Sequence, residues 1–442
     1  MNFRHNIPVR KKALSKLLHN IILHENDIVE ALYKDFRKPQ FESVLTETSL
    51  VISDLKYTLK HLESWAKPKR TRASLLNFPS RDYIYSEPYG KVLVIAPWNY
   101  PFQLSMLPLI AAVAAGNSVV LKPSELTPAT SALISKIIRE TFDVKHVVAV
   151  LGDATIAADL LKKKWDYIFF TGSVAVGKIV AKAAAEHLTP VTLELGGKNP
   201  CLVDDTANLE VAAKRIVWGK FLNAGQTCIA PDYILVKSST KNQLVDLLKT
   251  EIKRAYGENA EQSDDFARII NSDHWKRLIG LIEPYKIIYG GHTNEDERYL
   301  SPTLIDEFNL ESALMKAEIF GPILPILTFE NDDDIHRILS NYDKPLSMYI
   351  FTGSREFERR MLRSYSFGGG CINDTVVHFS NKRLPFGGVG ASGIGAYHGK
   401  LSFDIFSHKK AIVKKATWLD IPVRYAPYDG KLKIIRSILK WL

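Results

Sequence analysis

Two doubly wound α/β domains are predicted for this chain by three observations. From Lys91 onward, short apolar runs alternate with segments of helical length, the pattern of a parallel sheet. The alternation pauses at Gly196-Gly197 and then resumes, which predicts a second sheet. The 442 residues, 46% of them hydrophobic, can bury more than one core at ~150 residues per domain.

The elements follow in order. Residues 9 to 66 carry apolar side chains at three-to-four spacing, through Leu14, Leu17, Ile21, Ile28, Leu32, Leu45, Leu50, Leu55, Leu59 and Leu62, which predicts helices. Pro68 and the cluster Lys67, Lys69, Arg70 and Arg72 close that region. The first alternation predicts strands at 92–96, 118–121, 147–150 and 167–170, separated by helices over 103–115, 129–142 and 153–163. Glycine tolerates tight turns and close backbone approach, so Gly196-Gly197 suits a crossing between domains. The second alternation predicts strands at 232–236, 323–328 and 348–351, with helices near 208–222, 240–256, 331–341 and 355–365. Residues 430–442 read as a basic amphipathic helix, with Ile434, Ile435, Ile438, Leu439 and Leu442 apolar and Lys431, Lys433, Arg436 and Lys440 charged.

Composition narrows the function. The net charge of +10 can attract anions, yet no basic patch interleaved with aromatics stands out, so the surplus reads as a solvated surface rather than a nucleic-acid site. Three cysteines, Cys201, Cys228 and Cys371, make no disulfide framework and no zinc spacing. The expectation is an intracellular, cytoplasmic protein with reduced thiols and no metal. No run reaches the ~18 apolar residues of a membrane span, and the longest, 104–115, contains Pro108. The N-terminus carries Arg4, Arg10, Lys11, Lys12 and Lys16 but no apolar signal region, and it continues into helical periodicity, so it reads as mature structure.

Three side chains carry reactive chemistry. Cys228 ends Gly225-Gln226-Thr227-Cys228, a loop in which a substrate carbonyl can approach both sulfur and backbone N–H; elsewhere an intracellular cysteine is usually a small buried hydrophobe. Glu194 ends the apolar run Val191-Thr192-Leu193, where low dielectric favours a protonatable base, or else it pairs with a lysine such as Lys198. Asn99 lies between Pro97 and Pro101, braced as an amide donor or spent on an Asx turn. Phe170-Thr171-Gly172-Ser173-Val174-Ala175-Val176-Gly177 follows a strand and opens a helix, where free N–H groups suit a phosphate. It departs from GxGxxG, since Val174 stands where the middle glycine would be.

Taken with Pro97-Trp98-Asn99-Tyr100-Pro101, Leu193-Glu194-Leu195-Gly196-Gly197-Lys198 and Glu318-Ile319-Phe320-Gly321-Pro322, the chain resembles the aldehyde dehydrogenase superfamily from about Val9 to about Lys410. The run from Asn223 to Tyr233 resembles its class 3 branch, the fatty-aldehyde-type enzymes. That resemblance implies NAD(P)-dependent oxidation of an aldehyde to its acid, with Cys228 as nucleophile, Glu194 as the base that activates water, and Asn99 as oxyanion donor. It implies cofactor contacts at Trp98, Lys122, Glu125, Thr171, Gly172, Ser173, Gly177, Glu318 and Phe320, with NAD used first and NADP tolerated. Glu125 would repel a 2′-phosphate and Lys122 would attract one. Tyr100 and Phe386 suggest an apolar tunnel for medium- to long-chain or aromatic aldehydes, with His398 in its wall. The implied division is 1–69 as the helical part of the cofactor domain, 70–90 as an oligomerisation arm, 91–195 as the Rossmann-like NAD(P) domain, 196–408 as the catalytic domain and 409–442 as a tail. A homodimer is implied, with the tail on a partner subunit or in weak peripheral contact with a membrane. Two rivals stand beside this reading. A CoA-acylating enzyme would not need the base at Glu194, and a cofactor-binding scaffold would not need Cys228, Glu194 and Asn99 together.

Overall fold

The strand Lys91–Ile95 sits at the centre of the first sheet, with Ser118–Lys122 and then Val147–Ala149 on one side and Tyr167–Thr171 and then Val191–Glu194 on the other, all parallel. The computed structural model from which this architecture is read describes residues 6–74, 77–282, 287–307 and 309–440. Arg4 and Leu442, and the side chain of Ile438, lie outside the described residues. These strands are apolar runs because both faces are covered; Val92, Leu93 and Val94 are fully inaccessible. Helix Pro101–Ala115 is buried at every position, as a helix apolar all round must be, and it stops at Gly116 in a left-handed conformation. The strand order reverses between Lys91–Ile95 and Tyr167–Thr171, so the carboxyl ends of these two strands flank the crevice where such sheets take ligands.

After Glu194 the chain crosses through Gly196-Gly197 into a second sheet, ordered Ile287–Tyr289, Thr303–Asp306, Ile323–Phe329, Tyr233–Lys237, Pro200–Val203, Ser347–Phe351 and Gly369–Ile372. All its pairs are parallel except the first. The predicted strands at 232–236, 323–328 and 348–351 appear within a residue of those bounds. Four strands had no such signal. Thr303–Asp306 and Ile287–Tyr289 are short, Pro200–Val203 reads only as a core run, and Gly369–Ile372 is a half-buried edge with two glycines.

Ser80–Pro88 pairs antiparallel with Lys69–Thr71 and with Ser407–Lys415 in a third, separate sheet. Most of Ser407–Lys415 is exposed on both faces, which is why it lacks an apolar alternation. The N-terminal region forms helices Ile7–Leu23, Glu25–Phe36, Gln40–Ser43 and Ser49–Ala66, with a π-helical turn, Val44–Thr48, between the last two. The tail ends in helix Lys431–Leu439, where Leu432, Ile434 and Leu439 are each more than half exposed. Among the described residues no helix is long and apolar enough to cross a membrane.

Candidate active site

Cys228 follows helix Leu209–Phe221 through a tight turn in which Asn223, Ala224 and Gly225 all take left-handed φ, at 56°, 52° and 73°. Such a conformation costs Ala224 about 1 kcal/mol, and surrounding bonds hold it. At Gly225 even a Cβ would come within 2.3 Å of the Gly321 carbonyl. The Gln226 side chain donates to the Arg268 carbonyl (3.0 Å) and accepts from Ile270 N–H (3.0 Å). Tyr100 Oη and Thr227 Oγ1 share a hydrogen bond of 2.6 Å, and Asn199 Nδ2 donates to the carbonyls of Cys228 (2.7 Å) and Ala230 (3.1 Å). Burial pushes the Cys228 thiol up to about 12; the carboxylates of Glu318 and Glu194 act the same way, and the N–H groups of Cys228 and Ile229 oppose them.

Glu194 closes strand Val191–Glu194, and neither of its buried carboxyl oxygens has a hydrogen-bond partner. Burial alone raises its pKa well above the ordinary carboxylate value. The ion pair with Lys198 does not form, because Lys198 Nζ lies 2.6 Å from Asp232 and donates to the Leu314 carbonyl at 2.7 Å. Asn99 is buried, and its Nδ2 donates to the Gln226 carbonyl at 3.1 Å, so one N–H is tied to the cysteine loop and the second remains.

Two cavities meet here. One, of about 300 Å³, is walled by apolar groups that include Leu45, Leu50, Leu104, Trp218, Val376, Phe379 and Tyr397. The other, of about 570 Å³, opens along the first sheet's carboxyl edge past Pro97, Trp98, Asn99, Gly172, Ser173, Lys198, His274, Arg277, Glu318, Phe320 and Lys344. Thr171, Glu194, Leu195 and Cys228 line both.

The larger cleft fits a dinucleotide. Helix Val174–Ala185 begins at it, capped by Ser173 Oγ accepting from Val176 N–H, which leaves a helix N-terminus for phosphate. Glu318 keeps a buried Oε1 without a partner, as a site for a ribose hydroxyl requires. Burial and the nearby Asp232 push its pKa up to about 8, against a Gly197 N–H bond, Lys198 and Arg277. Gly196 lets that carboxylate approach, since a Cβ there would meet Glu318 Oε2 at 2.1 Å. Phe320, at φ 51°, packs edge-on against Trp98 with ring centroids 5.3 Å apart.

Three of the expected contacts are not among the residues that line the cleft. Gly177 faces Leu195, which a Cβ would meet at 2.6 Å, so it serves helix-to-strand packing. Lys122 and Glu125 pair with each other at the end of Ser118–Lys122 and do not line the cleft. Tyr100 and Phe386 line the apolar cavity, whereas His398 lies behind that wall, stacked on Phe386 at 5.4 Å and edge-on to Phe379 at 4.6 Å. Burial holds the His398 imidazole down at about 3, hence neutral. Cys201 is fully buried, and Cys371 lies 3.5 Å from His378 Nδ1 and lines neither cavity. Sequence reasoning missed Trp218, Val376 and the basic wall of Arg277 and Lys344. It placed Leu45 and Leu50 on a core face, because periodicity does not separate a pocket wall from a core.

A cleft that fits a dinucleotide at the switch point of a doubly wound sheet, joined to an apolar chamber, is the layout of a nucleotide-dependent oxidoreductase. The comparisons make this specific. The profile of the aldehyde dehydrogenase family matches residues 4–412. The 4,4'-diaponeurosporen-aldehyde dehydrogenase of Staphylococcus aureus is 49% identical, covering 98% of this chain and 95% of that protein. A dog (Canis lupus familiaris) enzyme named aldehyde dehydrogenase, dimeric NADP-preferring, is 42% identical over 96% of this chain and 94% of its own. A substrate-bound structure of Staphylococcus aureus AldH superposes with a TM-score of 0.97 at 48% identity, covering 99% of this chain and 96% of that one. The chain belongs to the aldehyde dehydrogenase family and is an NAD(P)-dependent enzyme of aldehyde oxidation.

Proposed function

We propose that the enzyme converts apolar aldehydes, medium- to long-chain aliphatic or aromatic, to carboxylic acids through a thioester on Cys228. The observation that carries this reading is that Cys228 and Glu194 belong to both cavities at once. The Cys228 sulfur, its proton released to solvent, adds to the aldehyde carbon. The second N–H of Asn99 and the backbone N–H of Cys228 stabilise the oxygen that becomes negative, at about 3 kcal/mol per donor. The dinucleotide supplies the acceptor for the hydride that leaves that carbon. Glu194 then takes a proton from water, which attacks the thioester, releases the acid and restores the thiol.

NAD is the proposed first cofactor, with NADP tolerated. Glu125, tied to Lys122 at the carboxyl end of Ser118–Lys122, would set a negative charge against a 2′-phosphate, and the paired lysine would soften it. The free thiols support a reducing, cytoplasmic setting. The 70–90 arm and the 409–442 tail are proposed to build a homodimer around domains 91–195 and 196–408, with 1–69 packed on the former. Exposed Phe78, Trp418 and Leu432 support an interface there. Deleting residues after Gly430 is expected to weaken the dimer in sedimentation experiments; an intact dimer that loses binding to anionic liposomes would assign the tail to a membrane. The activity itself is tested by NADH absorbance on mixing protein, NAD and a medium-chain aldehyde, with and without CoA. Turnover independent of CoA is expected, and a strict need for CoA would favour the acylating alternative.

A further inference from the structure

Three charged residues that line neither cavity lie buried beneath the cysteine loop: Lys38, Glu42 and Glu47. In an α-helix, positions 42 and 47 would point about 140° apart. The π-helical turn Val44–Thr48, closed by the Ser49 N–H to Val44 carbonyl bond, widens the helix between them. Glu47 Oε1 pairs with Lys38 Nζ at 2.7 Å, and its Oε2 accepts from Gln103 N–H at 2.8 Å in the helix that follows Asn99. Lys38 Nζ also sits 4.0 Å from the ring centre of Tyr100, whose hydroxyl holds Thr227. Glu42 Oε2 accepts from the Asn223 N–H at 2.9 Å, at the first of the three left-handed residues. Asn223 Nδ2 then donates to the Asn99 carbonyl (2.9 Å) and the Gln226 carbonyl (3.2 Å).

We propose that Glu42 is a positioning residue for aldehyde oxidation: its carboxylate fixes the Asn223 backbone, and Asn223 locks Asn99 and the Cys228 loop into one unit. A fully buried carboxylate is retained here although an apolar residue would fill the space at less desolvation cost, which is the mark of a geometric role. Glu42 touches neither cavity, so it acts only through the loop. Displacement of a reacting group by about 1 Å costs on the order of 100-fold in rate.

The proposal rests on Cys228 as nucleophile, and the test separates the two. Variants E42M, which fills the space without an acceptor, and E42Q, which keeps one, are compared for kcat, KM and the rate of Cys228 alkylation by iodoacetamide, with the site read by mass spectrometry. E42M is expected to lose at least about tenfold in kcat and to change its alkylation rate, with both KM values within about threefold, while E42Q recovers most of the loss. Asn223→Gly, which keeps the N–H to Glu42 but removes the bridge to Asn99, should show the same kcat loss. Wild-type kcat and thiol reactivity in E42M, or a loss in E42Q equal to that in E42M, would overturn the proposal. If E42M does not fold, Asn223→Gly decides; if neither yields soluble, NAD-binding protein, the network serves folding and the proposal falls. Full activity in wild-type enzyme alkylated at Cys228 would instead overturn the nucleophile.

Discussion

The two chambers that meet at Cys228 differ in what their walls do to a carboxyl group. Where the apolar chamber joins the cleft, Glu194 has no hydrogen-bond donor, and burial raises its proton affinity without opposition. On the cofactor side Glu318 is half-buried, and Gly197 N–H, Lys198 and Arg277 oppose the desolvation, which with Asp232 leaves it near 8. Two glutamates a short way apart are thereby divided: one suits proton transfer, the other suits holding a hydroxyl. Polarity of the wall and depth of burial together set the role.

The largest expected effect erases the junction itself. Cys228→Ala should lower oxidation by more than about 1,000-fold while NAD affinity, measured by fluorescence quenching, stays within about twofold, since the sulfur is no dinucleotide anchor. Residual dehydrogenase activity beyond that would break the covalent scheme. Next, Glu194→Gln should spare the first turnover and cut steady-state kcat by ~100-fold or more, with an acyl adduct accumulating on Cys228 in intact-protein mass spectra. Because the Glu194 pKa is raised, its basic form is scarce at low pH and grows as pH rises. Wild-type kcat should therefore climb from neutral into alkaline buffer, and the climb should vanish in Glu194→Gln.

Changes on one wall should leave the other alone. Leu50→Trp, which fills the apolar chamber, should raise KM for long aldehydes about tenfold while KM for NAD is unmoved. A parallel rise in both would mean that the chambers are one functional space. The smallest effect is expected outside the cleft wall, at Glu125→Gln. Removing one like charge and freeing Lys122 should lower KM for NADP relative to NAD by about two- to fivefold. An unchanged ratio would place the 2′-position elsewhere.

Much of this was legible in the chain. Apolar runs such as Val92–Val94 can only be strands covered on both faces, and Pro101 and Gly116 punctuate the helix between them. Glu194 and Cys228 stood out because a carboxylate in an apolar run and a cysteine in a glycine loop both contradict their surroundings. Glu42 and Glu47 gave no such signal: charged residues in helices ordinarily face water, and only the π-helical turn brings this pair inward. Ser407–Lys415 escaped because its pairing rests on backbone bonds to Ser80–Pro88 rather than on an apolar face. At Gly177 the chain leaves two roles open, because a glycine in the first turn of a helix serves packing, as against Leu195 here, and ligand approach alike.

Val191–Glu194 has Gly393–Ile394 as its outer neighbour, paired antiparallel at Glu194 itself. A chain emerging from the ribosome therefore carries the strand that ends in Glu194 as an open edge until all of the second sheet has been made. The cofactor half cannot close early and wait, because its last strand arrives after the other half's seven. Pairing so distant in sequence slows folding, and open apolar edges invite association. Translation arrested between Glu194 and Gly393 should thus leave nascent chains that need a chaperone, and fragments ending before Gly393 should be insoluble even with every strand from Lys91 to Glu194 in place.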